Sequence, residues 1–199
     1  MKTLIIAPHI DDEVLGCSAF LTEDSFVLYC GVQDREVISA EGRLEELEAV
    51  RKKTGFDYHI LKDTKENEYD LFLLLNHFEA CLHDLKPEQV LIPHPSYNQD
   101  HRTVYEASFT ALRPHDEIPF TKKVLVYEQP HTFFWRRKRF SPNYFIEIDI
   151  NFKVYLYELM KSQVRPFRSP EHLRMMAVLR GGQSNMEYAE AYEILRWID

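Results

Sequence analysis

Short apolar runs rich in β-branched and aromatic residues alternate along this chain with stretches whose apolar residues recur at helical spacing. That alternation is the strongest constraint on how the chain can fold. The runs at 3–6, 26–29, 58–61, 90–92, 124–127 and 145–150 read as strands. Between them, Leu44, Leu47 and Val50, then Leu71, Leu74, Leu75, Phe78, Leu82 and Leu85, then Val104, Ala107, Ser108 and Ala111 mark helical faces. The pattern predicts an α/β fold, a Rossmann-like and mostly parallel sheet flanked by helices. After Asp149, Phe152, Tyr155, Leu156, Leu159 and Met160 share one helical face, and 188–195 also reads as helical, so the C-terminal part is expected to form a helical cover. With 199 residues, 45% of them hydrophobic, and no repeat or linker, a single domain over 1–199 is expected.

Ligands of such sheets bind beyond the carboxyl ends of the strands, and two polar clusters fall there. The first, Ala7-Pro8-His9-Ile10-Asp11-Asp12-Glu13, follows the first strand and sets three carboxylates beside an imidazole. Adjacent acids raise one another's pKa unless a cation or hydrogen bonds compensate, so a metal site is one reading. A capped helix start is the other, with Asp11 as N-cap and Asp12 and Glu13 favouring the positive end of the dipole. The second cluster, 93–102, follows the fourth run and carries His94, Asn98, Asp100 and His101. His101 joined to His9 and Asp12 would make a His₂Asp set with a position left for water, as a catalytic zinc requires. Taken alone, His101 is an ordinary surface residue at a helix start.

Composition narrows the partners. A net charge of −8 argues against a nucleic-acid partner or general attraction to an anionic membrane. Met1-Lys2 passes directly into a strand-like run, without a signal-peptide pattern or an apolar window of membrane-spanning length, so a cytoplasmic protein is expected. Cys17, Cys30 and Cys81 lack C-x-x-C spacing and read as small apolar residues rather than disulfide or zinc ligands.

On these motifs the chain resembles the PIG-L/LmbE-like family of zinc-dependent N-deacetylases, marked by an A-H-P-D-D-E-type run after the first strand and a later H-x-D-H. Further similarity lies in Arg43-Leu44-Glu45-Glu46, Lys161-Ser162-Gln163 and Tyr188-Ala189-Glu190-Ala191-Tyr192. The resemblance implies one zinc ion on His9, Asp12 and His101, with Asp11 as general base. It also implies hydrolysis of the N-acetyl group of an N-acetylglucosamine-type sugar, free or carried on a nucleotide or lipid. Glu13 is expected to brace the loop. Ile10 replaces the usual proline of the first motif. Asn98 stands where the family commonly has a histidine, and an asparagine amide donates a hydrogen bond but delivers no proton. The leaving-group proton must then come from Asp11, or from His94 or His131 on neighbouring loops. Arg43 is expected to face a phosphate or sugar hydroxyl, or else to be a solvated helix charge beside Glu45 and Glu46. The basic run 133–140 is either a charged loop or a contact for an anionic substrate.

Three other readings stand beside this one: a metal-retaining, sugar-binding relative without turnover, a zinc amidase of non-sugar substrates, and a nucleotide-dependent transferase. The transferase lacks a glycine-rich phosphate loop, since no G-x-G-x-x-G or Walker A run follows any strand. A homo-oligomer is compatible with the sequence.

Overall fold

The computed structural model describes residues 3–117, 119–130 and 139–199. His131 and positions 133–138 of the basic run lie outside them. Among the described residues, seven strands form one sheet in the order β3-β2-β1-β4-β5-β7-β6. They are β1 (Thr3–Ala7), β2 (Ser25–Tyr29), β3 (Asp57–Ile60), β4 (Gln89–Pro93), β5 (Lys123–Tyr127), β6 (Tyr144–Glu147) and β7 (Ala189–Trp197). β1 to β5 pair in parallel, and β7 runs antiparallel to both β5 and β6.

β1 is buried along its whole length, and its side chains alternate between two cores, as period-two geometry requires. Ile5 and Ala7 enter one core with Leu47 and Val50 of α2 (Ala40–Thr54), Val154 and Tyr157 of α5 (Ile150–Leu159), and Leu173 and Ala177 of α6 (Pro170–Ser184). Leu4 and Ile6 enter the other with Leu74, Phe78 and Leu82 of α3 (Leu71–Leu85) and Val104, Ala107 and Ala111 of α4 (Gln99–Ala111). Cys17 and Cys30 are buried and Cys81 is half-buried, all three as free thiols.

The C-terminal part departs from the expected helical cover in two ways. The segment read as helical at 188–195 is β7, inserted between β5 and β6. Its Ala, Glu and Leu residues favour helix intrinsically, but an open edge of β5 and a full ladder on each side outweigh propensity. The helical cover is supplied instead by α5 and by α6, which the periodicity did not reveal. α6 nonetheless carries its own start signal, with the Ser169 hydroxyl accepting from the His172 N–H and Pro170 in the first turn. In α5 the buried face is also different. Phe152 and Tyr155 are exposed, while Lys153 and Val154 turn inward. Lys153 Nζ reaches Glu190 Oε1 at 2.6 Å and the Leu15 carbonyl at 2.8 Å, and this polar anchor fixes the helix's rotation.

The strand order reverses between β1 and β4, each of which is followed by a helix on a different face. A crevice opens at this switch point, beyond the strands' carboxyl ends. Both polar clusters of the sequence open into it.

Candidate metal centre and active site

The first cluster turns from β1 into α1 (Asp12–Cys17). Asp11 occupies the N-cap position, yet its carboxylate makes no cap bond and its backbone sits at φ 141°. A non-glycine residue in that region carries strain of roughly 1–3 kcal/mol, retained only where the surroundings over-determine it. Those surroundings are on hand. Glu13 Oε2 accepts from the Asp11 N–H at 3.0 Å, Tyr69 donates its hydroxyl to the Pro8 carbonyl at 2.7 Å, and Gln129 Nε2 donates to the Asp12 carbonyl at 3.3 Å. The reading of this run as an ordinary capped helix start therefore does not fit.

His9, Asp12 and His101 are buried and converge so that one ligand atom of each lies within 4.8 Å of the others. His9 Nδ1 and His101 Nε2 each lie 3.5 Å from Asp12 Oδ2, and the His9 backbone N–H donates to that same oxygen at 2.9 Å. His9 Nε2 is held at 2.8 Å by Asp100 Oδ2, which also accepts from the Asn67 N–H at 2.9 Å. A histidine whose outer nitrogen is fixed by a carboxylate, with its inner nitrogen turned toward another histidine and an aspartate, has the chemistry of a two-nitrogen, one-oxygen zinc site. The residues present fit a single divalent metal ion.

Electrostatics separate the three acids. Although burial would raise it, Asp12 is held well below the usual carboxylate range by His101 and His9. Burial raises Asp11 above its ordinary value, against the pull of Arg168. Burial and the neighbouring Asp11 push Glu13 up to about 8. Burial lowers His101 to about 4, which keeps its imidazole neutral, the form in which it ligates.

A cavity of about 290 Å³ opens over these groups. His9, Asp11, Asp12 and His101 line its floor, with Asn98, Arg168, Arg35, Asn67, Tyr97 and Phe167 around them. Asn98 caps α4, its Oδ1 accepting from the Asp100 N–H at 2.8 Å, so its amide nitrogen is the group left to donate. Arg168 Nη1 lies 2.8 Å from Asp11 Oδ2.

Two expected substrate residues are placed differently. Arg43 is fully buried, donating to Glu66 Oε1 at 2.5 Å and toward the Ile10 carbonyl at 3.4 Å. It is neither a cavity wall nor a solvated helix charge. The acidic side chain of Glu66, brought from the loop after β3, draws it into the interior as a brace for the first cluster. His94 is buried at the end of β4, edge-on to Phe140 at 5.3 Å, and is not among the residues lining the cavity.

Asp100, Arg168 and Arg35 are the site residues that sequence reading passed over. Asp100 lay inside the second motif, and only its contact with His9 gives it a task. Arg168 had no local signal. Its segment is tied down by Ser162, which donates its N–H and hydroxyl to Glu46 at 2.8 and 2.6 Å. Two short stretches of family likeness, one in α2 and one in the tail, thus turn out to be a single contact.

Fold and site together define an α/β protein with a buried His-Asp-His centre at the sheet's switch point. Residues 4–112 match the family described as PIG-L, GlcNAc-PI de-N-acetylase, and the chain belongs to that family. Solved structures share its fold throughout. A conserved protein of Thermus thermophilus aligns at TM-score 0.78 with 19% identity, covering 100% of this chain and 96% of that one. The N,N'-diacetylchitobiose deacetylase of Pyrococcus horikoshii aligns at TM-score 0.75 with 19% identity, covering 98% and 84%. A 4-carboxy-2-hydroxymuconate hydratase of Pseudomonas putida aligns at 0.73 with 19% identity, covering 100% and 98%. Comparison with curated protein sequences gives no significant match. Among the described residues, no helix is long and apolar enough to cross a membrane.

Proposed function

We propose that this chain is a metal-dependent hydrolase that removes the N-acetyl group from an N-acetylglucosamine-type sugar or sugar conjugate, nucleotide- or lipid-linked conjugates included, acting as one domain in the cytoplasm. The observation that carries this reading is the strained Asp11, whose carboxylate opens on the cavity beside His9, Asp12 and His101. Family membership and the chitobiose deacetylase among its fold relatives support it.

His9, Asp12 and His101 would hold zinc, which when bound polarises the amide carbonyl and makes water acidic enough to attack near neutral pH. Asp11 accepts the proton of the attacking water. As the C–N bond breaks, the leaving nitrogen needs a proton. Among the described residues, the imidazoles lining the cavity are His9 and His101, both committed to the metal set. Asp11 therefore returns the proton it took and serves as base and acid in turn. Arg168 holds the Asp11 carboxylate in one orientation through both steps. Asn98 donates its amide N–H to the acyl oxygen as charge gathers there, the part of the usual histidine's work that an amide can do.

A second reading has one relative behind it, since the Pseudomonas putida hydratase shares the fold at the same identity. Release of amine and acetate from free, nucleotide-linked and lipid-linked N-acetylglucosamine, with and without a chelator, tests the proposal. Chelator-sensitive release is the expected result. Zinc-loaded protein inert toward every sugar, but active in adding water to 4-carboxy-2-hydroxymuconate, would decide for the hydratase reading.

A further inference from the structure

A second cavity, of about 280 Å³, lies between the C-terminal end of α4 and the paired strands β5 and β7. Phe109 and Leu112 from the helix end, Val124 of β5 and Leu195 of β7 form its apolar walls, and two cations, Arg113 and Arg196, join them. It shares no residue with the cavity over His9, Asp12 and His101. Val124 lies toward the start of β5, whereas that cavity opens beyond the strands' carboxyl ends.

A regular β7 could not build this wall. Leu195 and Arg196 are consecutive, and consecutive strand residues point to opposite faces of a sheet. Here the register shifts. Arg196 pairs with Val124 but Ile194 pairs with Leu125, so Leu195 is an extra residue opposite the Val124–Leu125 step, a β-bulge. Bulges re-aim side chains, and this one brings both Leu195 and Arg196 to one cavity. Leu195 remains 40% exposed there and Phe109 52% exposed.

The two cations differ in their partners. Arg113 Nη1 is paired with Glu79 Oε1 at 2.8 Å. Arg196 Nη1 donates to the Thr121 carbonyl and Nη2 to the Leu112 carbonyl, both at 2.8 Å, and its guanidinium lies 4.2 Å from the centre of the Phe120 ring. These contacts fix the plane of the guanidinium without neutralising it, and neither hydrogen bond uses Nε. Burial lowers Arg196 below its ordinary value, and no carboxylate among the described residues raises it again. Glu193, on the same strand, accepts from the Ser141 N–H instead. The chain has a net charge of −8, yet none of the acids among the described residues is placed against this cation.

We propose that this cavity binds a small amphipathic carboxylate, with a medium-length aliphatic chain against Phe109, Leu112, Val124 and Leu195 and the carboxylate on Arg196. One unneutralised guanidinium calls for one negative charge, and its remaining N–H groups match a carboxylate through charge-assisted hydrogen bonds. Mostly apolar walls with a single oriented polar group are the usual form of a small-molecule site, and the volume is close to the roughly 300 Å³ at which such sites begin. A protein partner would need roughly 800 Å² of this face, whereas the groups used here converge on one concavity. The site is independent of the deacetylase reading and stands whether or not that reading holds.

Calorimetric titration of the whole protein tests this with three probes: octanoate, butanoate and octylammonium. Octanoate is expected to bind saturably, at one site per chain. Butanoate keeps the charge but lacks apolar surface, and octylammonium keeps the chain but carries the wrong charge, so each should bind about tenfold or more weakly. R196Q should weaken octanoate by about tenfold or more, while R196K keeps part of the affinity. Because R196Q also removes the bonds to Thr121 and Leu112, L195E serves as the second variant. Its side chain replaces an exposed one and sets a carboxylate beside Arg196, so octanoate binding should be lost with the melting temperature close to wild type. Octanoate that fails to bind wild type, binds no better than octylammonium, or binds L195E as well as wild type overturns the inference. So does self-association of wild type in ultracentrifugation that L195E abolishes and octanoate leaves unchanged, because the face is then a contact between copies of the chain.

Discussion

A lone buried glutamate and a cluster of three buried acids flank the same end of the sheet, each at the centre of its own polar cluster, and they are built on opposite rules. Glu190, on β7, accepts from the Ser18 N–H and hydroxyl, the Ala19 N–H, Lys153 Nζ and the Tyr192 hydroxyl, all at 2.5–3.0 Å. Burial alone would raise it, but Lys153 and the hydrogen bonds hold it below its ordinary value. Asp11, Asp12 and Glu13 are equally buried, yet share few donors. Asp11 and Glu13 are pushed up, the backbone at Asp11 is strained, and a cavity lies over them. A saturated acid has no capacity left for chemistry and holds the fold together. An under-satisfied acid beside a cavity keeps its reactivity at a cost that the rest of the structure offsets.

The largest expected effect falls on the reactive cluster. D11N should lower kcat by about 10²–10⁴-fold while metal content stays at wild-type level, as measured by amine release together with elemental analysis. Activity within tenfold of wild type would erase the distinction drawn for Asp11. At the other cluster the loss should be one of stability. E190A leaves Lys153 buried without its partner and is expected to cost about 3–5 kcal/mol in denaturant unfolding, a typical penalty for breaking a buried pair.

The same contrast carries a pH signature. Because the folded pKa of Glu190 lies below its ordinary 4.5, its stabilisation is complete above that pH and fades as the pH falls toward the folded value. Thermal melts of wild type should therefore show an acid slope that is shallower in E190Q. An unchanged slope would move the saturated-acid argument to another residue. Next in size, D100N should weaken metal affinity by about 10–100-fold through His9 while the fold stays intact, since the partner that orients a ligand is typically worth that much. Competition with a chromogenic chelator reads this directly. The smallest effect is expected for S162A, which removes one hydroxyl bond to Glu46 and should cost about 1 kcal/mol. Its interest is that the segment bearing Arg168 would loosen, so kcat should fall further than the melting temperature implies.

How much of this was legible in the sequence differs from one element to the next. β1 to β5 and the faces of α2, α3 and α4 follow from local periodicity, because a buried strand or an amphipathic helix writes its burial into neighbouring residues. The convergence of His9, Asp12 and His101 was legible for a related reason, since His9 and Asp12 share one motif and His101 lies in the first turn of the helix after β4. β7 was not legible. Ala189, Glu190 and Ala191 are good helix formers, and their strand state exists only because β5 and β6 supply ladders from more than forty residues away in the chain.

By itself, then, the sequence determined that strands and helices alternate, that two polar clusters cap the carboxyl ends of two strands, and that the residues in those clusters have metal-ligating and proton-transferring chemistry. Tertiary structure alone decided which of them meet. It turned Arg43 inward to Glu66 and left Arg35 facing the cavity, gave Asp100 to His9, and brought Arg168 from the far end of the chain onto Asp11. The physical reason is common to all four. A charged side chain settles where a partner and the local burial balance its desolvation, and both are supplied by segments distant in sequence.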